Sequence, residues 1–215
     1  MNKIISNFLS IGSGIGLTLK LTFGGVFVGI VGGTLLSVLR HSGMGKPIIN
    51  VIISVLRGTP LLLQLSFIYF ITPDIMGFRL DLLSAGVLAF GINSSAYVAE
   101  IVRAGIESLP KGQFEAAQTL EIPRFYMWKD IILPQVMANI FPAMVNEVIA
   151  LLKETALIAM IGGMDIMRRA QTVAVEQYEY FMPLCIAGVY YYGLVVLIGF
   201  AGKKIEKRKF YVENS

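Results

Sequence analysis

Cysteine and histidine occur once each in this chain, as Cys185 and His41. A lone cysteine closes no internal disulfide, so the fold is not held together by disulfide staples. One histidine and one cysteine do not make a zinc or iron site, which removes most membrane metalloenzymes from consideration. With His41 isolated in a loop, nucleophile–base chemistry also lacks its parts, and no catalytic residue is expected. Charge is scarce: Asp, Glu, Lys and Arg make up 15% of the residues, against about 25% in soluble domains. There is no G-x-x-x-x-G-K-[S/T] run, since Gly45-Lys46 is followed by Pro47 and lacks the upstream glycine. The chain is therefore not expected to bind ATP by a P-loop. Gly12, Gly14 and Gly16 follow no strand and have the wrong spacing for a dinucleotide fingerprint.

What the chain has in quantity is apolar length. Hydrophobic residues make up 55% of it, and the mean hydropathy is +0.71. A helix needs about 20 apolar residues to cross a hydrocarbon core of roughly 30 Å. Five such spans are legible, at about 13–39, 48–72, 82–101, 135–160 and 180–202. The first, third and fifth have charge-free centres (Leu21–Leu39, Leu82–Ala99 and Tyr180–Gly202). Arg57 interrupts the second, and the fourth carries Glu147, Lys153 and Glu154. No small-x-small cleavage site follows Leu21–Leu39, which ends in Arg40-His41, so this run is read as a retained span. The expected fold is an all-α integral membrane protein, with one transmembrane domain over residues 1–215.

Loop charge sets the orientation. One set of loops holds eleven basic residues (Arg40, Lys46, Arg103, Lys111, Arg124, Lys129, Lys203, Lys204, Lys207, Arg208 and Lys209). The opposite set holds Lys3, Arg79, Arg168 and Arg169. The richer side is cytoplasmic, which puts the N-terminus outside, the C-terminus inside and the segment from about 103 to 134 in the cytoplasm. The net charge of +4 follows from these basic loops, and nucleic acid is not an expected partner. In the first span Gly25, Gly29, Gly33 and Ser37 recur every four residues, a small-residue face against which another helix can pack closely.

The long cytoplasmic loop is the most informative segment. Phe114 to Leu120 reads as a short amphipathic helix, with Phe114, Ala117 and Leu120 on one side and Glu115 and Gln118 elsewhere. Pro123 stops it, and a second helix from about Phe125 leads to Pro134. Pattern alone fits an ordinary solvated hairpin as well as a docking element. However, Glu115-Ala116-Ala117 followed by Ile131-x-Leu133-Pro134 resembles the EAA loop of ABC importer permeases. Further stretches are similar to the polar amino acid permeases within that family. They are Arg57-Gly58-Thr59-Pro60-Leu61, the run Ser95-Ala96-Tyr97-Val98-Ala99-Glu100 leading into Ile101–Ile106, and Lys153-Glu154-Thr155-Ala156-Leu157 with Ile161-Gly162.

The resemblance implies that Glu115, Ala116, Ala117, Gln118, Leu120 and Glu121 belong to a coupling helix seated on a separate ATP-binding cassette subunit. ATP and Mg²⁺ would then be bound by that partner, with no cofactor in this chain. It also implies a second permease copy (identical or a sibling), an extracytoplasmic solute-binding protein, a polar amino acid as substrate, and a multi-pass place in the bacterial inner membrane. The family's usual glycine at the seventh motif position is Glu121 here. Glycine takes positive φ cheaply and glutamate does not, so the geometry of that turn stays open.

Charges at membrane depth need a cavity or a partner. Arg57 precedes a Gly58-Thr59-Pro60 break, where Pro60 lacks a backbone donor and frees an upstream carbonyl. Arg57 and Thr59 are candidate pathway residues, although a structural pair with a carboxylate fits Arg57 equally. Glu147 and Glu154 are two helical turns apart on one face, an axial separation of about 10 Å. They are either neutralised by Lys153 and Arg57 or left to receive the cationic end of arginine, histidine or lysine, with Glu154 preferred. Asn93, Ser94 and Ser95 form a polar cluster that bonds either a substrate or neighbouring helices. An ion-coupled carrier, a channel or an embedded enzyme would leave the Glu115-Ala116-Ala117 loop unexplained.

Overall fold

The computed structural model describes residues 3–43 and 45–210, all of whose regular structure is helical. The two chain ends, assigned above to opposite sides of a membrane, reach beyond the described residues. In order come α1 (Lys3–Gly12), α2 (Ile15–His41), α3 (Lys46–Gly58) and α4 (Leu61–Ser66), which runs through a π turn, Phe67–Ile71, into α5 (Thr72–Met76). After α6 (Leu82–Glu107) and α7 (Lys111–Thr119), α8 (Arg124–Tyr126) continues through a second π turn, Met127–Ile132, into α9 (Leu133–Glu154). A 3₁₀ turn, Thr155–Ile161, then precedes α10 (Ile166–Gln177) and α11 (Phe181–Phe210).

Lys3–His41, Leu82–Glu107 and Phe181–Arg208 are each long and apolar enough to cross a membrane. Lys46–Gly58 and Leu61–Ile75 pass only together, as a pair bent by 102°. Helix α9, at 22 residues, is about 33 Å long, enough for the hydrocarbon core. Gln135, Asn139, Asn146, Glu147, Lys153 and Glu154 lie along it, and it is not among the helices apolar enough to pass as a span by composition.

The break in the second apolar segment follows from its sequence. Pro60 has no N–H to give the carbonyl four residues back, at Leu56, and Thr59 turns extended at φ −114° and ψ 146°. Side chains replace the missing donor. Gln64 Nε2 donates to Leu56 O at 2.8 Å and Asn93 Nδ2 to the same oxygen at 3.1 Å. Gln64 also donates to Thr59 Oγ1 at 2.8 Å, and its own amide oxygen accepts from Asn93 at 3.1 Å. A freed backbone group inside a membrane persists only where such partners exist.

The small-residue face of α2 does what its spacing predicts. It lies on α6, with Gly25 against Phe90, Gly29 against Ser94 and Gly33 against Val98 and the Ser95 carbonyl. A Cβ on Gly29 would come within 2.6 Å of Ser94 Oγ, so the two helices could not close to this distance with larger residues. Around this contact Leu21, Leu65, Phe90, Leu151 and Ile158 form the main core. Asp81 caps α6 by accepting from the N–H groups of Leu83 and Ser84. Hydrogen bonds from the Ser84 side chain and backbone hold its carboxyl below the usual carboxylate range.

Two helices that periodicity did not announce, α1 and α10, pack at the end of the bundle away from α7. Asn7 and Gln177 exchange amide hydrogen bonds at 3.1 and 2.7 Å. Asp165, fully buried, accepts from the Arg168 N–H at 2.8 Å and from the Tyr191 hydroxyl at 2.9 Å. Tyr190 donates to the Phe8 carbonyl at 2.9 Å. The tyrosines Tyr190 and Tyr191 of α11 thus carry polar ties of this end.

Candidate functional site

The coupling-loop segment folds as a short helix, one turn earlier than the sequence predicts: α7 begins at Lys111 and ends at Thr119. Its attachment is dense. Gln113 and Gln135 exchange amide hydrogen bonds at 2.8 and 2.6 Å. Phe114 meets Trp128 edge-on at 6.2 Å, and Trp128 meets His41 edge-on at 5.1 Å. Ala117 is buried with Leu109, Met127, Ile132, Val136 and Ile140. The expected apolar trio is incomplete, because Leu120 lies beyond the last helical residue and is 72% exposed. Glu115, Ala116, Gln118 and Leu120 therefore stand on the open side, beside exposed Phe125 and Tyr126, which sequence reading passed over.

Glu121 resolves the open turn. It adopts φ +54°, the left-handed conformation normally taken by glycine. Its N–H donates to Gln118 O and the Ile122 N–H to Ala117 O, both at 3.0 Å. This pairing of the two residues after a helix end is the Schellman motif. The left-handed turn is thus kept by glutamate, with two backbone hydrogen bonds and the packed Ala117 offsetting a strain of about 1 kcal/mol.

Near the same end of the bundle, one carboxylate gathers three guanidinium groups. Glu100 accepts from Arg40 Nη1 at 2.5 Å and from Arg103 Nη2 at 2.8 Å, and Arg57 Nη1 lies 3.5 Å from it. Arg103 also bonds Glu107. Arg57 rests over the Tyr97 ring, 5.3 Å from its centroid. Arg57 thus lies beside a carboxylate, and that carboxylate is Glu100 rather than Glu147 or Glu154. Glu100 was legible only as part of a motif, because its partners Arg40 and Arg57 come from other helices.

The polar cluster of α6 divides three ways. Asn93 serves the break at Leu56 and Gln64, Ser94 Oγ donates to Glu147 Oε1 at 2.7 Å, and Ser95 donates to its own helix at Ile92 O. Thr59 Oγ1 donates to Val55 O at 2.8 Å. Among the described residues Glu154 has no hydrogen-bonding partner, although it is half-buried, and Lys153 is exposed and forms no ion pair with it. Glu147 and Glu154 thus share a face of α9, the first bonded by the Ser94 hydroxyl and the second by no donor among the described residues. Asn139, on the same helix, donates to Ser108 Oγ at 3.1 Å near the loop end. Gln64, which links Thr59 to Asn93, is the member of this group that sequence reading missed. Its signal was its position four residues after Pro60, where its side chain can return to the break.

Comparison with known proteins adds three results. Residues 25–211 match the family described as binding-protein-dependent transport system inner membrane component. The chain is 49% identical over 208 residues to the putative glutamine transport system permease protein GlnP of Rickettsia typhi, covering 96% of this chain and 95% of that one. It is 45% identical over 198 residues to the arginine transport system permease protein ArtQ of Bacillus subtilis, covering 91% and 90%. Among solved structures, an amino acid ABC transporter crystallised with histidines superposes with a TM-score of 0.87 at 37% identity, over 95% of this chain and 96% of that one. The MetNI methionine transporter superposes at 0.79 and 21% identity, a likeness of fold.

Proposed function

The chain belongs to the binding-protein-dependent transport system inner membrane component family, and from that premise we propose that Glu154 and Glu147 line the path of a cationic amino acid. The protein is a permease subunit of an amino-acid ABC importer of the inner membrane, not an enzyme; ATP is hydrolysed by a separate subunit. The observation that carries the substrate reading is the bare carboxylate of Glu154. A half-buried acid that feels the charge of Lys153 but forms no ion pair with it suits a ligand that brings its own charge, and a guanidinium can meet it with two parallel hydrogen bonds. The arginine permease of Bacillus subtilis is 45% identical to this chain. The glutamine permeases of Rickettsia favour a second reading, in which a neutral amide is carried and Glu154 accepts one N–H from it.

The remaining parts follow from the same premise. The chain crosses the membrane five times, the bent pair counting once, with the N-terminus outside and the C-terminus inside. Two copies, or this chain and a sibling, enclose the path. Each seats α7 on an ATPase through Glu115, Ala116, Gln118 and Leu120, with Phe125 and Tyr126 beside them. ATP draws the two coupling helices together and opens the bundle outward; hydrolysis resets it. Asn93, Ser94, Ser95, Thr59 and Arg57 border the path and hold its walls.

The test is a thermal-stability screen of the permease–ATPase complex against amino acids, repeated on Glu154→Gln. A ligand at about 100 times its Kd adds roughly 2.7 kcal/mol to the stability of the state it binds. Arginine, lysine or histidine should raise the melting temperature of the wild type and not of Glu154→Gln. Stabilisation by glutamine alone, unchanged in the variant, supports the second reading. No stabilisation by any amino acid removes the site from this chain and leaves selection to the binding protein.

A further inference from the structure

We propose that the cleft between the ends of α2 and α6 on the coupling-loop side holds the phosphodiester of an anionic membrane lipid. The cleft measures about 470 Å³ and is lined by Ser37, Arg40, His41, Lys46, Arg103 and Glu107, a size within the range of ligand sites. Around it Arg40, Lys46, Arg103 and Arg57 are four cations against two carboxylates, Glu100 and Glu107. Both carboxylates are already engaged by guanidinium groups, so positive charge is left over. The surplus has donors to offer. Arg40 donates through Nη1 alone, and Lys46 is exposed with no hydrogen bond or ion pair among the described residues.

The chemistry of the walls narrows the ligand. Glu107 borders the cleft and, although bonded to Arg103, disfavours a second negative charge on the ligand. A diester carries one charge, whereas free phosphate near neutral pH carries between one and two. On another face of α2, the helix whose end supplies Ser37, Arg40 and His41 to the cleft, Phe27, Val31, Leu35 and Val38 are all more than half exposed and recur at helical spacing. They make an apolar track whose last member, Val38, precedes His41 by three residues. Acyl chains lie along such a track while basic side chains near a bilayer surface hold the headgroup. A soluble anion would use the cations without the apolar track, and the experiment below separates the two.

Lys46 is the residue to change, since it lines the cleft and has no role in packing. The permease–ATPase complex would be reconstituted in nanodiscs of phosphatidylcholine with a minority of phosphatidylglycerol, and its retained lipid weighed by native mass spectrometry. The wild type should keep phosphatidylglycerol over phosphatidylcholine by at least about tenfold, near 1.4 kcal/mol of preference. Lys46→Gln should lose most of that preference at an unchanged melting temperature, and Lys46→Arg should restore it. Equal retention of both lipids, or an unaltered preference in Lys46→Gln, overturns the proposal. Displacement of the lipid by millimolar inorganic phosphate overturns its lipid source, since the cleft would then read the anion alone.

Discussion

Glu100 and Glu154 are both acids on long helices of the bundle, and their surroundings differ in almost every respect. Glu100 collects Arg40, Arg57 and Arg103 from three helices. Glu154 lies two turns beyond Glu147 on α9; among the described residues Glu147 accepts from the Ser94 hydroxyl and Glu154 from no donor. The difference separates two uses of charge in a membrane protein. A carboxylate surrounded by cations of its own chain ties helices together and has little left for a ligand. A carboxylate kept half-buried without one lowers the stability of the empty protein and recovers that loss when a cation arrives. Type of residue says little here; on the function proposed above, the balance of partners is what separates structure from transport.

Three substitutions test the contrast. Glu100→Ala should have the largest effect, because it leaves three guanidinium groups without their shared counter-charge. A loss of about 2 kcal/mol is expected, below the full cost of breaking a buried pair because Arg57 and Arg103 are partly open to solvent. It is measured as the melting temperature of the complex, and Glu154→Gln measured beside it should cost nothing. If the two fall equally, the distinction between them fails. Ser94→Ala should follow, at about 1 kcal/mol, since Glu147 loses its hydrogen bond. Its sharper readout is uptake: Ser94→Ala should change the apparent affinity for substrate, whereas Glu100→Ala should change the amount of folded complex. Arg57→Gln should be smallest, about 0.5 kcal/mol, for a side chain 42% exposed and 3.5 Å from its acid. An effect on transport larger than its effect on stability would make Arg57 a residue of the path more than a tie between helices.

Much of this was legible because it is local. The glycine face of α2 predicted its close contact, and the Glu115-Ala116-Ala117 loop predicted both a helix and an exposed face. What escaped depends on residues far apart in the chain. Pro60 announces a break, but its consequences rest on Asn93, which comes from another helix. Glu100 is unremarkable until Arg40 and Arg57 are folded against it. Leu120 was placed in the apolar face by spacing and is outside it, because the left-handed turn at Glu121 ends the helix first. α1 and α10 were missed since neither is long or apolar enough to read as a span, and each is held by amide, carboxyl and phenol contacts that have no period.

The bend at Pro60 also bears on how the chain enters the membrane as it is made. Lys46–Gly58 and Leu61–Ile75 are about 20 and 22 Å long as helices, each too short to cross a 30 Å core alone. While α3 and α4 wait beside the insertion machinery, Gln64 can cover the Leu56 carbonyl, but its own amide oxygen faces lipid or water until Asn93 arrives. Asn93 is synthesised 29 residues after Gln64. The second membrane segment should therefore settle only after the third has emerged, which makes α6 a late-arriving partner in biogenesis as well as a wall of the finished bundle. In a nascent-chain assay, chains ending before residue 93 should leave this segment extractable, and those extended through α6 should fix it.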